Sequence, residues 1–141
     1  MTVERLALVG TGLIGASVGL AAKRAGAKRV VGFDADPGEV AAALKRGAVD
    51  EGADDVGEAV TGAELVLVAV PVTQLPVQVR AVLAAVDGES AVTDAGSTKA
   101  AVCAAARGSS QFVGGHPVCG SEARGAEHAS AELFDGATST L

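Results

Sequence analysis

His116 is the residue in this sequence best suited to moving a proton. It stands between Gly115 and Pro117, outside any periodic apolar segment. An imidazole with an unperturbed pKa of about 6.5 accepts a proton readily near neutral pH. Ser97 is the second candidate. It follows Ala95-Gly96 in another short turn, where a hydroxyl can cap a helix and also face a ligand. Lys99 shares that turn and is expected to be solvated. Asp94, at the end of an apolar run, is expected to tie the turn by hydrogen bonds without touching ligand. His128 lies among Glu127, Ala129 and Ser130 and reads as a solvated surface residue.

A proton acceptor needs a partner that takes electrons, and the N-terminal quarter of the chain suggests one. Gly10 to Gly15 read GTGLIG, between apolar Leu6-Ala7-Leu8-Val9 and a helix-forming stretch from Ala16 to Ala25. Strand, tight turn and helix in that order form a phosphate cradle. Gly10 permits the sharp exit from the strand. Gly12 leaves room for a pyrophosphate to approach the backbone, and Gly15 lets the helix pack close to the sheet. The free N–H groups of the helix N-terminus then face the phosphates. The next strand, Arg29 to Phe33, ends at Asp34, about 20 residues further on, where an acid that binds the adenosine ribose is expected. No Arg stands near Asp34 to accept a 2′-phosphate, so the expected cofactor is NAD. The expected cofactor-binding residues are Gly10, Thr11, Gly12, Leu13, Ile14, Gly15 and Asp34, with Val70 and Pro71 at the end of the central strand.

The remaining elements must bring these segments together. Asp36-Pro37 predicts an N-cap and first turn, with a helix from Gly38 to Arg46 stopped by Gly47. A loop or stunted strand should occupy Ala48 to Glu58, with a short helix from Val56 to Thr61. Glu64 to Val70 is continuously apolar after its first residue, as in a central parallel strand buried on both faces. Helices are then predicted over Gln74 to Val86, Thr98 to Arg107 and Glu122 to Leu133, with strands at Ser90 to Asp94 and Gln111 to Gly114. This alternation gives an α/β fold with a doubly wound, mostly parallel sheet, a single domain over residues 1–141. Ligands bind such sheets beyond the carboxyl ends of the strands. The glycine turn, Asp34, Pro71 to Thr73, Gly96 to Thr98 and Gly115 to Pro117 all follow strand ends, so they should meet on one rim.

Composition narrows the classes. The 141 residues are 49% hydrophobic, without Trp or Tyr, so the core must be aliphatic. A net charge of −6 without a basic stripe argues against nucleic acid. No apolar run approaches the ~20 residues that span a bilayer, and Met1 to Arg5 do not resemble a secretory signal. A cytoplasmic protein is expected. Cys103 and Cys119 form no CxxC pair and read as reduced thiols. His116 and Cys119 have an H-x-x-C spacing, but too few further ligands exist to complete a zinc site, so no metal is expected.

Taken in order, GTGLIGAS, VVGFD, VAVPV, TDAGSTK, GGHPVCGSEARG and LFDGA resemble the prephenate dehydrogenase family over essentially the whole chain. GGHP followed by GSE-x-x-G is the most specific part. The resemblance implies a Rossmann-type fold and the NAD-dependent oxidative decarboxylation of prephenate to 4-hydroxyphenylpyruvate, in tyrosine biosynthesis. Some members of the family act on arogenate. It also implies that His116 bonds the ring hydroxyl from which hydride departs, that Ser97 supports it, and that Ser121 and Glu122 shape the substrate pocket. The family continues into a C-terminal helical domain that supplies a homodimer interface and basic residues for the substrate carboxylates. By that comparison the helical domain is absent from this chain, and the chain alone is expected to bind NAD without being competent for turnover. Two other readings compete: a dehydrogenase of 3-hydroxyacids, and a non-catalytic NAD-binding module. The GGHP and Ser97 pair argues against the first, and an intact proton acceptor against the second.

Overall fold

The computed structural model describes residues 3–96, 99–118, 125–135 and 138–140, the backbone alone over 116–118 and 138–140. The chain begins with β1 (Arg5–Val9), followed by α1 (Leu13–Arg24), β2 (Arg29–Phe33) and α2 (Pro37–Arg46). Next come β3 (Glu51–Gly52), α3 (Val56–Val60), β4 (Leu65–Val68), a 3₁₀ turn at Val72–Gln74 and α4 (Leu75–Ala85). β5 (Ala91–Asp94), α5 (Ala100–Ala105) and β6 (Phe112–Val113) complete the main sheet. Its order is β3-β2-β1-β4-β5-β6, and every neighbouring pair is parallel. This is the Rossmann arrangement, in which the chain reverses its winding between β1 and β4 and leaves a crevice at their carboxyl ends.

Side-chain alternation along β1 explains why both faces are covered. Ala7 and Val9 join Val66, Val68, Val79, Val82 and Val102 on the side of α3, α4 and α5. Leu6 and Leu8 join Ala16, Val30, Ala43 and Val49 on the side of α1 and α2. The many Ala and Val residues fit helices held close to the sheet. Local signals act as the sequence suggests. Asp36 Oδ1 accepts from Gly38 N at 2.9 Å to cap α2, and Gly47 ends that helix at φ 77°. Asp55 caps α3 through Glu58 N at 2.7 Å. No helix among the described residues is long and apolar enough to cross a membrane.

Three expectations need correction. The first is β4, which is shorter than the apolar run Glu64 to Val70. Ala69 N still donates to the Val9 carbonyl at 2.7 Å, Ala69 and Val70 line the cleft at the rim, and Pro71 has no N–H with which to continue pairing. The second concerns α5, which starts at Ala100 behind an N-terminal Lys99 with no side-chain cap, so Ser97 stands too early in the chain to cap it. The third is the helix over Glu122 to Leu133. Of its described part, only Ala126–His128 is helical, and that as a single 3₁₀ turn. Gly125 has φ 87°, which no α-helix contains, and residues 131–135 form turns. Tertiary packing overrides the local propensity here. Ala126 and Ala129 are buried against α1 and α2, Ser130 N donates to Ser17 Oγ at 3.1 Å, and Arg46 donates to the Ala129 carbonyl. Residues 125–135 are thus a strap across the two helices. β7 (His116–Val118) and β8 (Thr138–Thr140) pair antiparallel, His116 opposite Thr140, a ribbon the sequence did not suggest.

The glycine turn sets the closest approach in the fold. A Cβ on Gly15 would collide with the Gly10 carbonyl, whereas one on Gly88 meets nothing within 4 Å. Gly15→Ala is therefore expected to lower the unfolding free energy by about 3 kcal/mol, as overpacking against backbone does. Gly88→Ala should be neutral or slightly stabilising. Urea denaturation of the two variants checks the contrast.

Candidate dinucleotide site

A cleft of about 530 Å³ opens at the carboxyl ends of β1, β2 and β4. Its floor is the glycine turn. Gly10 takes φ 101°, and its N–H donates to the Phe33 carbonyl at 2.8 Å. A Cβ there would run into the Ala69 carbonyl, so β1 and β4 meet through bare backbone. Gly12 precedes α1, and neither a side-chain cap nor an acidic residue occupies that helix's first turn. The N–H groups of the turn lack intrahelical partners, and the dipole favours an anion there. Gly10, Gly12, Leu13, Ile14, Asp34, Val70 and Pro71 all line the cleft, and the sequence named each of them. Thr11 and Gly15 lie buried behind this wall and shape it instead.

Asp34 is held rigidly. Its Oδ2 accepts from Thr11 N at 2.8 Å, and its Oδ1 accepts from Asp36 N at 2.9 Å. The acid that ends β2 is thereby locked to the glycine turn after β1. Each carboxylate oxygen keeps a second lone pair free for a ligand hydroxyl. Thr11 Oγ1 and Gln78 Oε1 are buried without a hydrogen-bond partner among the described residues. Gln78 on α4 also lines the cleft, as does Gln74, which ends the 3₁₀ turn just before that helix.

Glu39 enters the same cleft from the first turn of α2. Burial raises its pKa above the ordinary carboxylate range, and the negative charges of Asp34, Asp36 and Glu127 add to the effect, while the Ala126 N–H opposes it. Gly125 of the strap completes the wall. Sequence reasoning missed Glu39, Gln74, Gln78 and Gly125. The i, i+4 spacing of the glutamines was a readable signal, but which helix face meets the cleft depends on packing.

Further along the rim, Asp94 ends β5 with its side chain fully buried. Its Oδ2 accepts from Gly96 N at 2.9 Å, its Oδ1 accepts from Gly115 N at 3.1 Å, and Lys99 pairs with it. Lys99, expected to be solvated, is therefore a structural counter-ion. One carboxylate thus fastens the residue before Ser97 to the residue before His116. Ser97, Ser121 and Glu122 lie outside the described residues, and His116 is described as β7 backbone. His128 sits at the surface, 3.4 Å from Glu127.

The family model for the prephenate dehydrogenase nucleotide-binding domain matches residues 18–141. The chain belongs to the prephenate dehydrogenase family. The match starts after the glycine turn, so the cradle and the family assignment are independent observations. Among relatives, the prephenate dehydrogenase of Bacillus subtilis (strain 168) is 38% identical over 140 residues, covering 95% of this chain and 38% of its own. The structure of Synechocystis arogenate dehydrogenase superposes with a TM-score of 0.87 at 29% identity, over 96% of this chain and 48% of that one. Prephenate dehydrogenase from A. aeolicus, in complex with hydroxyphenyl propionate and NAD+, gives a TM-score of 0.88 at 25% identity, over 99% and 50%. The chain therefore spans about two fifths of the curated relative's length and half of each structural one. The family's members are dehydrogenases, and the part present here is their nucleotide-binding domain.

The Asp94 junction yields a direct test. Asn at this position has one acceptor oxygen for two backbone donors and a lysine, so one N–H must face its NH₂ group. Asp94→Asn is expected to speed hydrogen exchange at Gly96 and Gly115 at least tenfold, about 1.4 kcal/mol of local protection, and to leave Val66 in the central strand unchanged.

Proposed function

We propose that this chain binds NAD and forms the cofactor half of an NAD-dependent prephenate dehydrogenase. The observation that carries the cofactor reading is Asp34. A carboxylate locked to the glycine turn is placed for the ribose hydroxyls and would repel a 2′-phosphate, with Asp36 bonded beside it. The bare backbone at Gly10 and Gly12, and the uncapped start of α1, fit the diphosphate. Val70 and Pro71 line the opposite side of the cleft. NAD, when bound, supplies the hydride acceptor.

This chain's residues have the remaining tasks. His116 takes the proton of the ring hydroxyl as hydride leaves the carbon that bears it. Loss of the ring carboxylate as carbon dioxide then yields the aromatic product, and aromatisation supplies the driving force. Few catalytic groups are needed, so positioning matters most. Ser97 supports His116, and Ser121 and Glu122 shape the substrate pocket. Asp94 supports this reading, because it joins the turn before Ser97 to the strand that carries His116. Arogenate is the alternative substrate, favoured by the likeness to the Synechocystis enzyme. A homodimer in the cytoplasm is the expected setting of the whole protein.

The catalytic role of His116 is tested in the whole protein. His116→Asn should lower kcat by about 10²–10⁴-fold, the usual contribution of a general base. Wild-type activity should fall on the acid side as the imidazole gains its proton, and that limb should vanish in the variant. NAD affinity should stay the same, because the glycine turn and Asp34 lie in other segments. Near-wild-type turnover, or a loss explained by weaker NAD binding, would remove His116 from the mechanism. Running prephenate and arogenate side by side separates the two substrates.

A further inference from the structure

The cleft contains an anion of its own. Glu39 reaches from the first turn of α2 to the glycine turn, and its Oε2 lies 3.2 Å from where a Cβ on Gly12 would stand. That space is the gap which the second glycine of such a turn leaves for a pyrophosphate. The other carboxylate oxygen lies 3.3 Å from the corresponding position on Gly125, at the start of the strap. Glu39 therefore spans the cleft from the glycine turn to the strap.

The placement is electrostatically costly. Among the described residues, the charged groups that face Glu39 are Asp34 and Asp36, before α2, and Glu127 on the strap, all acidic. What favours it is the start of α1, an uncapped helix N-terminus without an acidic residue of its own. The carboxylate stands where a diphosphate would stand, and two anions cannot share the gap without one moving.

We propose that Glu39 is an internal plug of the diphosphate gap, which a dinucleotide must displace and which in the ligand-free chain clips the strap at Gly125–Ala126 to the glycine turn. The proposal rests on the dinucleotide reading above. On binding, the ligand's phosphates replace the carboxylate over Gly12, and the carboxylate leaves its place beside Gly125. The strap stays anchored through the buried Ala126 and Ala129 and the Ser17–Ser130 bond, so the rearrangement is confined to the end of the strap that lines the cleft.

Calorimetric titration of wild type, Glu39→Ala and Glu39→Gln with NAD, ADP and adenosine tests this. Glu39→Ala should bind NAD and ADP roughly five- to tenfold more tightly, the order expected from removing a like charge and its competition. Glu39→Gln should show a smaller gain, since it loses the charge and keeps the shape. Adenosine, which lacks the diphosphate, should bind all three proteins alike. In wild type, NAD should shift the Ala126 amide resonance. If wild type binds NAD and Glu39→Ala binds it no more tightly, the plug is wrong and the dinucleotide reading survives. An equal gain for adenosine would also overturn the plug, because the effect would not lie at the phosphates. If no variant binds NAD or ADP, the dinucleotide reading fails and the plug fails with it.

Discussion

The structure depends on one contact of backbone with backbone, at the point where β1 and β4 end. Gly10 presses on the Ala69 carbonyl, and Gly15 presses on the Gly10 carbonyl, with no room for a Cβ at either position. This contact draws the ends of the two central strands together at the reversal of winding. It also sets the N-terminus of α1 directly above them. A side chain at either glycine would lift the helix or part the strands, and the cleft would lose its floor. The Gly10 N–H bond to the Phe33 carbonyl brings β2 into the same arrangement, and Thr11 N then meets Asp34.

A second junction, at Asp94, does for the other half of the rim what the glycines do for the first. A fully buried carboxylate is expensive unless its lone pairs are used. Here two backbone N–H groups and Lys99 use them. The junction therefore stabilises the chain only while the turn after β5 and the strand after β6 hold their places. Fold stability and the spacing of the proposed chemical groups are coupled through one side chain. The small residues throughout the core serve the same end, since Ala and Val let α1, α2 and α4 lie close to the sheet and keep the strand ends in register.

Much of this was legible because its signals are local. The glycine spacing, the Asp36-Pro37 helix start and the Gly47 stop each act within a few residues, and the structure follows them. The stretch after residue 121 misled for the opposite reason. Its Ala and Glu content favours a helix locally, but Gly125 takes a positive φ, and burial of Ala126 and Ala129 on α1 and α2 holds it as a strap. Ser97 misled similarly as a cap, because α5 begins only at Ala100. Within the cleft, the glycine turn with the start of α1, Asp34, Val70 and Pro71 were found, and Glu39 on α2 and Gln78 on α4 were not. Glu39 and Gln78 line it because of how α2 and α4 are rotated against the sheet, and no short stretch of sequence encodes that rotation.

The most direct measurement of the central claim is calorimetric titration of this chain with NAD and with NADP under one set of conditions. A site built from the glycine turn and a locked Asp34 should bind NAD more tightly by at least about 1–2 kcal/mol, roughly tenfold, because a 2′-phosphate would exchange a hydrogen bond for a repulsion. NADP binding as tight as NAD, or no binding of either, would contradict the account.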